Sequence, residues 1–168
     1  MREVELTRWP QSSRPGEVKK VIAPRRDRGV CLRARAKLVE GFRAVIDDGR
    51  GHSVVTDLPE EMGGGDTAPT ALELAVMSLA GCVATIFAMA AHGRRVDLRD
   101  LEVIVEAEKP KGEHTITSGR IVGRVVTTSP EDRVKRIWED TLRICPVGVL
   151  FKRAAVKFED SLEIIRPE

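Results

Sequence analysis

At 168 residues and 42% hydrophobic content, the chain has the size of one ordinary globular domain with a real core. Its 28 Lys and Arg against 26 Asp and Glu leave a net charge of +2, too small a field to gather nucleic acid, and 4% aromatics without Tyr exclude a base-stacking platform. Three cysteines exclude a disulfide-dense secreted scaffold, and with no basic-then-apolar leader the expected location is a reducing cytoplasm.

Residues 1–28 hold eight basic and four acidic side chains, a net of +4, and are interrupted by Pro10, Pro15 and Pro24. They read as a solvated basic arm outside a single folded unit of residues 29–168, whose own net charge is −2. From Val30 the pattern alternates: Val30, Leu32, Ala34, Ala36 and Leu38 on one face, and Arg33, Arg35 and Lys37 on the other, which predicts a half-buried strand. A turn at Glu40-Gly41, a strand over Phe42–Asp47, a hairpin signal at Asp48-Gly49 and a strand at His52–Thr56 complete a three-stranded meander.

A loop rich in Gly and Pro follows, and then Thr70–Ala91, whose only charge is Glu73. The stretch is long enough to span a membrane. Its Ala content, the polar or small Ser78, Gly81, Cys82 and Thr85 at its centre, and its amphipathic neighbours predict instead a central helix wrapped by other elements, stopped at Gly93. Strands are expected at Leu101–Ala107 and Thr115–Thr128. Ser129-Pro130-Glu131-Asp132 reads as a helix start with a capping serine, and Val134, Ile137, Trp138, Thr141, Leu142 and Cys145 keep helical spacing. A short helix over Pro146–Arg153 and a strand over Val156–Ile165 close an α+β domain of order β-β-β-α-β-β-α-α-β.

The cysteines are the chemically informative residues. Cys145 falls where one helix ends and Pro146 can begin the next, a position whose free N–H groups favour a thiolate and lower a thiol pKa. Cys82 lies mid-helix, where a small buried hydrophobe is equally ordinary. Sixty-three positions separate them, so spacing leaves their meeting open. Cys31 sits on the polar face of the first strand or is partly covered by the arm, with no catalytic role expected. His52, His92 and His114 fall on a strand, a helix end and a turn, no Cys-x-x-Cys or His-x-x-x-His spacing occurs, and neither a metal nor a cofactor is expected. Gly63, Gly64 and Gly65 lack the Lys-Ser/Thr of a phosphate loop and read as a place where a connection passes close to its neighbours.

The run Asp66-Thr67-Ala68-Pro69-Thr70-Ala71-Leu72-Glu73-Leu74-Ala75-Val76-Met77-Ser78-Leu79-Ala80-Gly81-Cys82 resembles the central-helix signature of the OsmC/Ohr family of osmotically inducible and organic-hydroperoxide-resistance proteins. Cys145-Pro146-Val147 resembles its second motif, and Leu38-Val39-Glu40-Gly41-Phe42-Arg43 its first hairpin. The resemblance implies antiparallel sheets wrapped around the apolar helix in an intertwined homodimer with no membrane or nucleic-acid partner. It also implies a cysteine-based peroxidase acting on organic hydroperoxides or hydrogen peroxide. In that scheme Cys82 becomes a sulfenic acid, Cys145 condenses with it to a disulfide, Arg43 supplies the neighbouring cation, and an external dithiol such as a lipoyl group restores the thiols.

One part of the pattern departs from this sequence. The family's better-known peroxidases carry a glutamate ten residues before the helix cysteine, which here is Leu72. Glu73 stands nine residues before Cys82, ~900° around an ideal helix and so on the opposite face. It serves the arginine only from an irregular helix start and otherwise caps the helix; Glu60 and Glu61 are the alternatives. The departure keeps a second reading open, a binder of small ligands or a thiol redox sensor without turnover, and a third in which both cysteines only pack.

Overall fold

Residues 30–167 are described by a computed structural model, and the basic arm expected over 1–28 lies outside the described residues. Strands β1 (Arg35–Glu40), β2 (Arg43–Asp47) and β3 (Ser53–Thr56) form an antiparallel meander. The turn between β1 and β2 holds Gly41 at a φ of +51°, a backbone region that costs glycine nothing. The first strand begins five residues later than the alternation suggests. Arg35 pairs with Asp47, the last residue of β2, so Val30–Ala34 has no strand to bond. It is also not half-buried: every residue of β1 is exposed.

Helix α1 (Ala71–Gly93) opens on a reciprocal cap. The Thr70 hydroxyl accepts from the Glu73 N–H, while the Glu73 carboxylate accepts from the Thr70 N–H at 2.7 Å. The helix stops at Gly93 as expected, with Gly93 its last helical residue and the left-handed position on Arg95 at φ +54°.

Strands β4 (Leu98–Glu108) and β5 (Ser118–Thr127) pair antiparallel, and β6 (Lys157–Ile165) lies parallel to β5, giving the order β4-β5-β6. Parallel pairing requires a crossover. Helices α2 (Glu131–Ile144) and α3 (Pro146–Arg153) supply it. The N-cap of α2 is Pro130 rather than Ser129. Ser129 is drawn away because its hydroxyl accepts the Asp97 N–H at 2.9 Å, tying the start of β4 to the end of β5.

The core lies between α1, the second sheet and the two crossover helices. Leu79, Val83, Phe87 and Ala91 form an i, i+4 stripe on α1, meeting Ile121 and Val125 of β5 and Val134, Ile137 and Trp138 of α2. Each large side chain buried there is worth about 1.5–3 kcal/mol. Gly123 makes room for Trp138, since a Cβ on it would stand 2.6 Å from the indole ring. The indole N–H then donates to Asp160 at 2.9 Å.

Only that stripe of α1 is fully buried. Within the described residues the helix packs on β4, α2 and α3, and Met77 and Met89 on its other faces are 55% and 65% exposed. The helix has the length and apolarity to cross a membrane, yet it carries the core of a folded domain. The expected wrapping is thus realised on one side by the second sheet. The apolar side chains Leu38, Val54 and Val55 of the first sheet remain exposed.

Candidate functional site

The two cysteines, 63 positions apart in sequence, come together. Cys82 is half-buried on α1 and packs against the core cluster that contains Cys145. Cys145 terminates one helix and starts another. Its N–H donates to the Thr141 carbonyl at 2.9 Å, closing α2, and its own carbonyl accepts from Val149 at 2.9 Å, opening α3. Its backbone, at φ −55° and ψ 116°, is non-helical, and Pro146 occupies the first position of α3, where no N–H is needed. The Gly148 N–H points at Cys145 Sγ at 3.4 Å. Both thiols are free, and neither belongs to a disulfide.

The helix start does not make Cys145 acidic. Burial pushes its pKa up to about 11, the neighbouring Cys82 side chain pushes in the same direction, and the N–H groups of Gly148 and Val147 only partly oppose them. The residue has no exposed surface, and for a buried anion the loss of water outweighs two weak hydrogen bonds to sulfur. The lowered pKa expected from sequence is therefore reversed. The helix position was read correctly, but its depth was not visible.

Arg43 opens β2, and its guanidinium faces two carboxylates, Glu40 at 3.3 Å and Asp57 at 3.7 Å. Sequence reasoning missed Asp57. It is 3% exposed and held from several sides: by the Thr67 hydroxyl at 2.7 Å, the Thr67 N–H at 3.3 Å and the Leu58 N–H at 2.9 Å. These hydrogen bonds, Thr67 foremost, lower its pKa from the ordinary 3.8 to about 2, so it is an anion at neutral pH. Arg43 Nε is itself buried and has no hydrogen-bond partner. The guanidinium is thus steered by charge and not by a fitted fork.

The loop that completes this cluster depends on the glycines. A Cβ on Gly64 would lie 1.9 Å from the Leu58 carbonyl oxygen, and one on Gly65 would lie 3.3 Å from Asp57 Oδ2 and 3.5 Å from Arg43 Nη2. The close passage expected of residues 63–65 is what brings Thr67 onto Asp57. A sequence signal existed in an acid standing directly after the Ser53–Thr56 strand, but the partner ten positions on follows no period.

Glu73 is occupied as a helix cap, and its carboxylate is held below the usual range by the Thr70 N–H and hydroxyl. Glu60 and Glu61 lie exposed on a single 3-10 turn at Glu60–Met62. The polar contacts of Arg43 go to Glu40 and Asp57. Cys31 is exposed, and His52 precedes β3, with its Nδ1 2.8 Å from the Asp48 carboxylate.

A cleft of about 540 Å³ opens beside Cys145. Its lining includes the apolar Leu79, Val83, Ile121 and Phe158, the charged Lys152, Lys157 and Asp160, and Gly148 and Cys145. Cys82 is not among the residues that line it.

Comparison with known proteins bears on this geometry. The family model of OsmC-like proteins matches residues 63–159, a span holding both cysteines but neither Arg43 nor Asp57. Protein YhfA of Escherichia coli (strain K12) is 26% identical over 148 residues, covering 80% of this chain and 98% of that protein. The crystal structure of an OsmC-like protein from Mycoplasma pneumoniae superposes with a TM-score of 0.70 at 12% identity, over 83% of this chain and 99% of that one. An organic hydroperoxide resistance protein OsmC from Legionella pneumophila does so with a TM-score of 0.61 at 16% identity, over 80% and 97%. At such identities the superpositions establish a shared fold.

Proposed function

The chain belongs to the OsmC-like family, and on that premise we propose that it is a thiol-dependent peroxidase reducing organic hydroperoxides or hydrogen peroxide. The observation that carries this reading is the pairing of two free thiols in unlike settings, Cys82 half-buried and Cys145 fully buried at a helix junction. Relatives of the same fold named as hydroperoxide resistance proteins support it.

In the proposed reaction the Cys82 thiolate attacks the distal peroxide oxygen. The O–O bond breaks, Cys82 becomes a sulfenic acid, and the departing alkoxide or hydroxide takes a proton to leave as alcohol or water. Cys145 then attacks the sulfenic sulfur; its proton and the sulfenic hydroxyl depart as water, and a Cys82–Cys145 disulfide remains. A protonated Cys145 suits this order, because a thiol that stays neutral does not compete for the peroxide. An external dithiol, a lipoyl group in this reading, returns both sulfurs to thiols.

Arg43 is assigned to the developing negative charge, with Asp57 as its positioning residue. The reading takes the protein to be a cytoplasmic homodimer whose sites close at the subunit interface. Support comes from the uncovered faces of α1 and of the β1–β3 sheet, each of which leaves apolar side chains that a second copy would bury.

The test treats reduced protein with cumene hydroperoxide and maps the product by mass without reduction. A rapid Cys82–Cys145 disulfide, absent in Cys82→Ser, is the expected result; two thiols left free after peroxide overturn the reading. Repeated turnover with dihydrolipoamide separates an enzyme from the second reading, a sensor or ligand binder, which the roomy apolar cleft beside Cys145 favours.

A further inference from the structure

We propose that the Thr141 hydroxyl donates a hydrogen bond to Cys145 Sγ as that sulfur becomes negative in its attack on Cys82, and so serves the second step of the thiol cycle. The inference rests on the disulfide chemistry proposed above and adds to it a donor that acts after the peroxide has reacted.

Thr141 is fully buried, and its Oγ1 has no hydrogen-bond partner among the described residues. A hydroxyl within a helix can bond back to a carbonyl about one turn earlier. Ser78 and Thr85 of α1 do so, to the Ala75 carbonyl at 2.7 Å and the Gly81 carbonyl at 2.8 Å. Thr141 does not, although burial makes an unpaired hydroxyl costly. A valine of nearly the same shape would avoid that cost, so packing alone does not account for the residue.

Its placement ties it to Cys145. Val134, Ile137, Trp138 and Thr141 form the buried stripe of α2, and buried Cys145, one turn beyond Thr141, continues it. The Cys145 N–H still bonds the Thr141 carbonyl, and a φ of −55° is helical, so its Cβ leaves the backbone as a further helical residue's would. Only the ψ of 116° turns the chain aside. Side chains on a helix lean towards its N-terminus, which sets Cys145 over Thr141 with Cβ atoms about 5–6 Å apart at this spacing. A hydroxyl and a thiol turned towards each other close that gap.

The second step needs such a donor. Cys145 gives up its proton as the S–S bond forms, and the departing sulfenic hydroxyl takes it to leave as water. The sulfur carries negative charge meanwhile, where burial holds its pKa up at about 11 and the N–H groups of Gly148 and Val147 only partly compensate. Thr141 adds a donor that is already desolvated and keeps its own proton throughout. Hydrogen bonds to charged groups are the stronger kind, so the contact favours the attacking sulfur over the resting thiol.

The test uses dithiodipyridine, which reaches this step without peroxide, on full-length protein carrying Cys31→Ser as parent. Cys82 displaces one thiopyridone, which carries off its proton, and keeps the other half as a mixed disulfide. Cys145 then attacks Cys82 Sγ and displaces a second thiopyridone, and absorbance follows both. Thr141→Val is expected to release the first at the parent rate and the second about tenfold more slowly, with its pH–rate profile displaced upward by about one unit. Thr141→Ser keeps the hydroxyl and is expected within about threefold of the parent. Cys82 beside Cys145 and Lys152, Lys157 and Asp160 in its cleft are the same in all three proteins, so the displacement reports the hydroxyl. Thr141→Val is also expected to melt no lower than the parent, since it removes an unpaired buried group. A parent-rate second release or a lower melting point in Thr141→Val, an equal slowing in Thr141→Ser, or no second release in the parent each overturns the proposal. If cumene hydroperoxide leaves both thiols free while Thr141 controls the second thiopyridone, the peroxidase reading fails and the role of Thr141 stands.

Discussion

Gly64→Ala tests the loop that assembles the Arg43 cluster. The added methyl would start 1.9 Å from the Leu58 carbonyl oxygen, 2.4 Å from its carbon and 2.8 Å from its Cα, whereas real Cβ contacts essentially never fall under 3.0 Å. The loop must therefore retreat by about 1.1 Å or more from a backbone group that cannot turn aside. The same Leu58 carbonyl accepts the Asp66 N–H at 3.0 Å, and the Gly64 N–H reaches the Pro59 carbonyl at 3.1 Å, so the retreat strains both hydrogen bonds. Overpacking costs ~1–3 kcal/mol and a weakened hydrogen bond about 1 kcal/mol more, which together predict a loss of roughly 2–4 kcal/mol. At this chain length that is a fall in Tm of roughly 5–15 °C.

Gly81→Ala is the matched control. A Cβ at Gly81 meets nothing within 4 Å, so the same one-methyl change is expected to raise stability by about 0.5–1 kcal/mol through helix propensity alone. The assay is urea unfolding and thermal melting of both variants, with the rate of disulfide formation under peroxide measured below each melting point. Displacing the loop pulls Thr67 from Asp57, so Gly64→Ala is expected to slow the peroxide step as well. A Gly64→Ala protein that melts within a degree of the parent and reacts at the parent rate would refute the account of Arg43 and Asp57 built on this loop.

Further outcomes follow from individual residues. Asp57 has a folded pKa below its ordinary 3.8, so its stabilising contribution is complete above about pH 5 and is lost as pH falls towards 2. Asp57→Asn should therefore unfold more easily than the parent at pH 7, and urea titrations of the two should converge between pH 4 and 2 on this pH scale. Cys145, buried and with a pKa of about 11, should be the last cysteine to react with iodoacetamide at pH 8, where only ~0.1% is thiolate, and exposed Cys31 the first. Mass mapping of the alkylation time course checks the order. Gly123→Ala drives a methyl to 2.6 Å from the Trp138 ring and 3.1 Å from Leu162, and should lower stability by ~1–3 kcal/mol in urea unfolding, with a changed Trp emission.

Element order and type were legible because the periods of two and of three to four dominate long segments of this chain. Where the reading slipped, a distant residue decided the outcome. Alternation runs back to Val30, but β1 starts at Arg35 because β2 is only five residues long. Ser129 has the identity of a cap and is spent instead on Asp97. The site divides in the same way. Pro146 reveals that Cys145 sits at a helix junction, since a proline there forbids continuation. Nothing local reveals the burial that turns its pKa upward, or the contact of Asp57 with Thr67 across ten positions.

The charge and cysteine counts acquire meaning only from placement. A domain with a net charge of −2 gives Cys82 no bulk positive field, so any anion-stabilising cation has to be brought to it individually. Arg43 is on a sheet whose strands pack with one another, while Cys82 is on a helix that packs with the other sheet and the crossover helices. Met77 and Met89 of the helix and Leu38, Val54 and Val55 of the sheet stay exposed, so both parts are short of apolar partners. In the dimer proposed above, a second copy would cover both and bring the cation to Cys82. Sedimentation at micromolar concentration therefore bears on chemistry as well as on assembly: a monomer retaining full peroxide reactivity would remove Arg43 from the mechanism, whereas activity that falls on dilution together with the dimer would place the completed site at the interface.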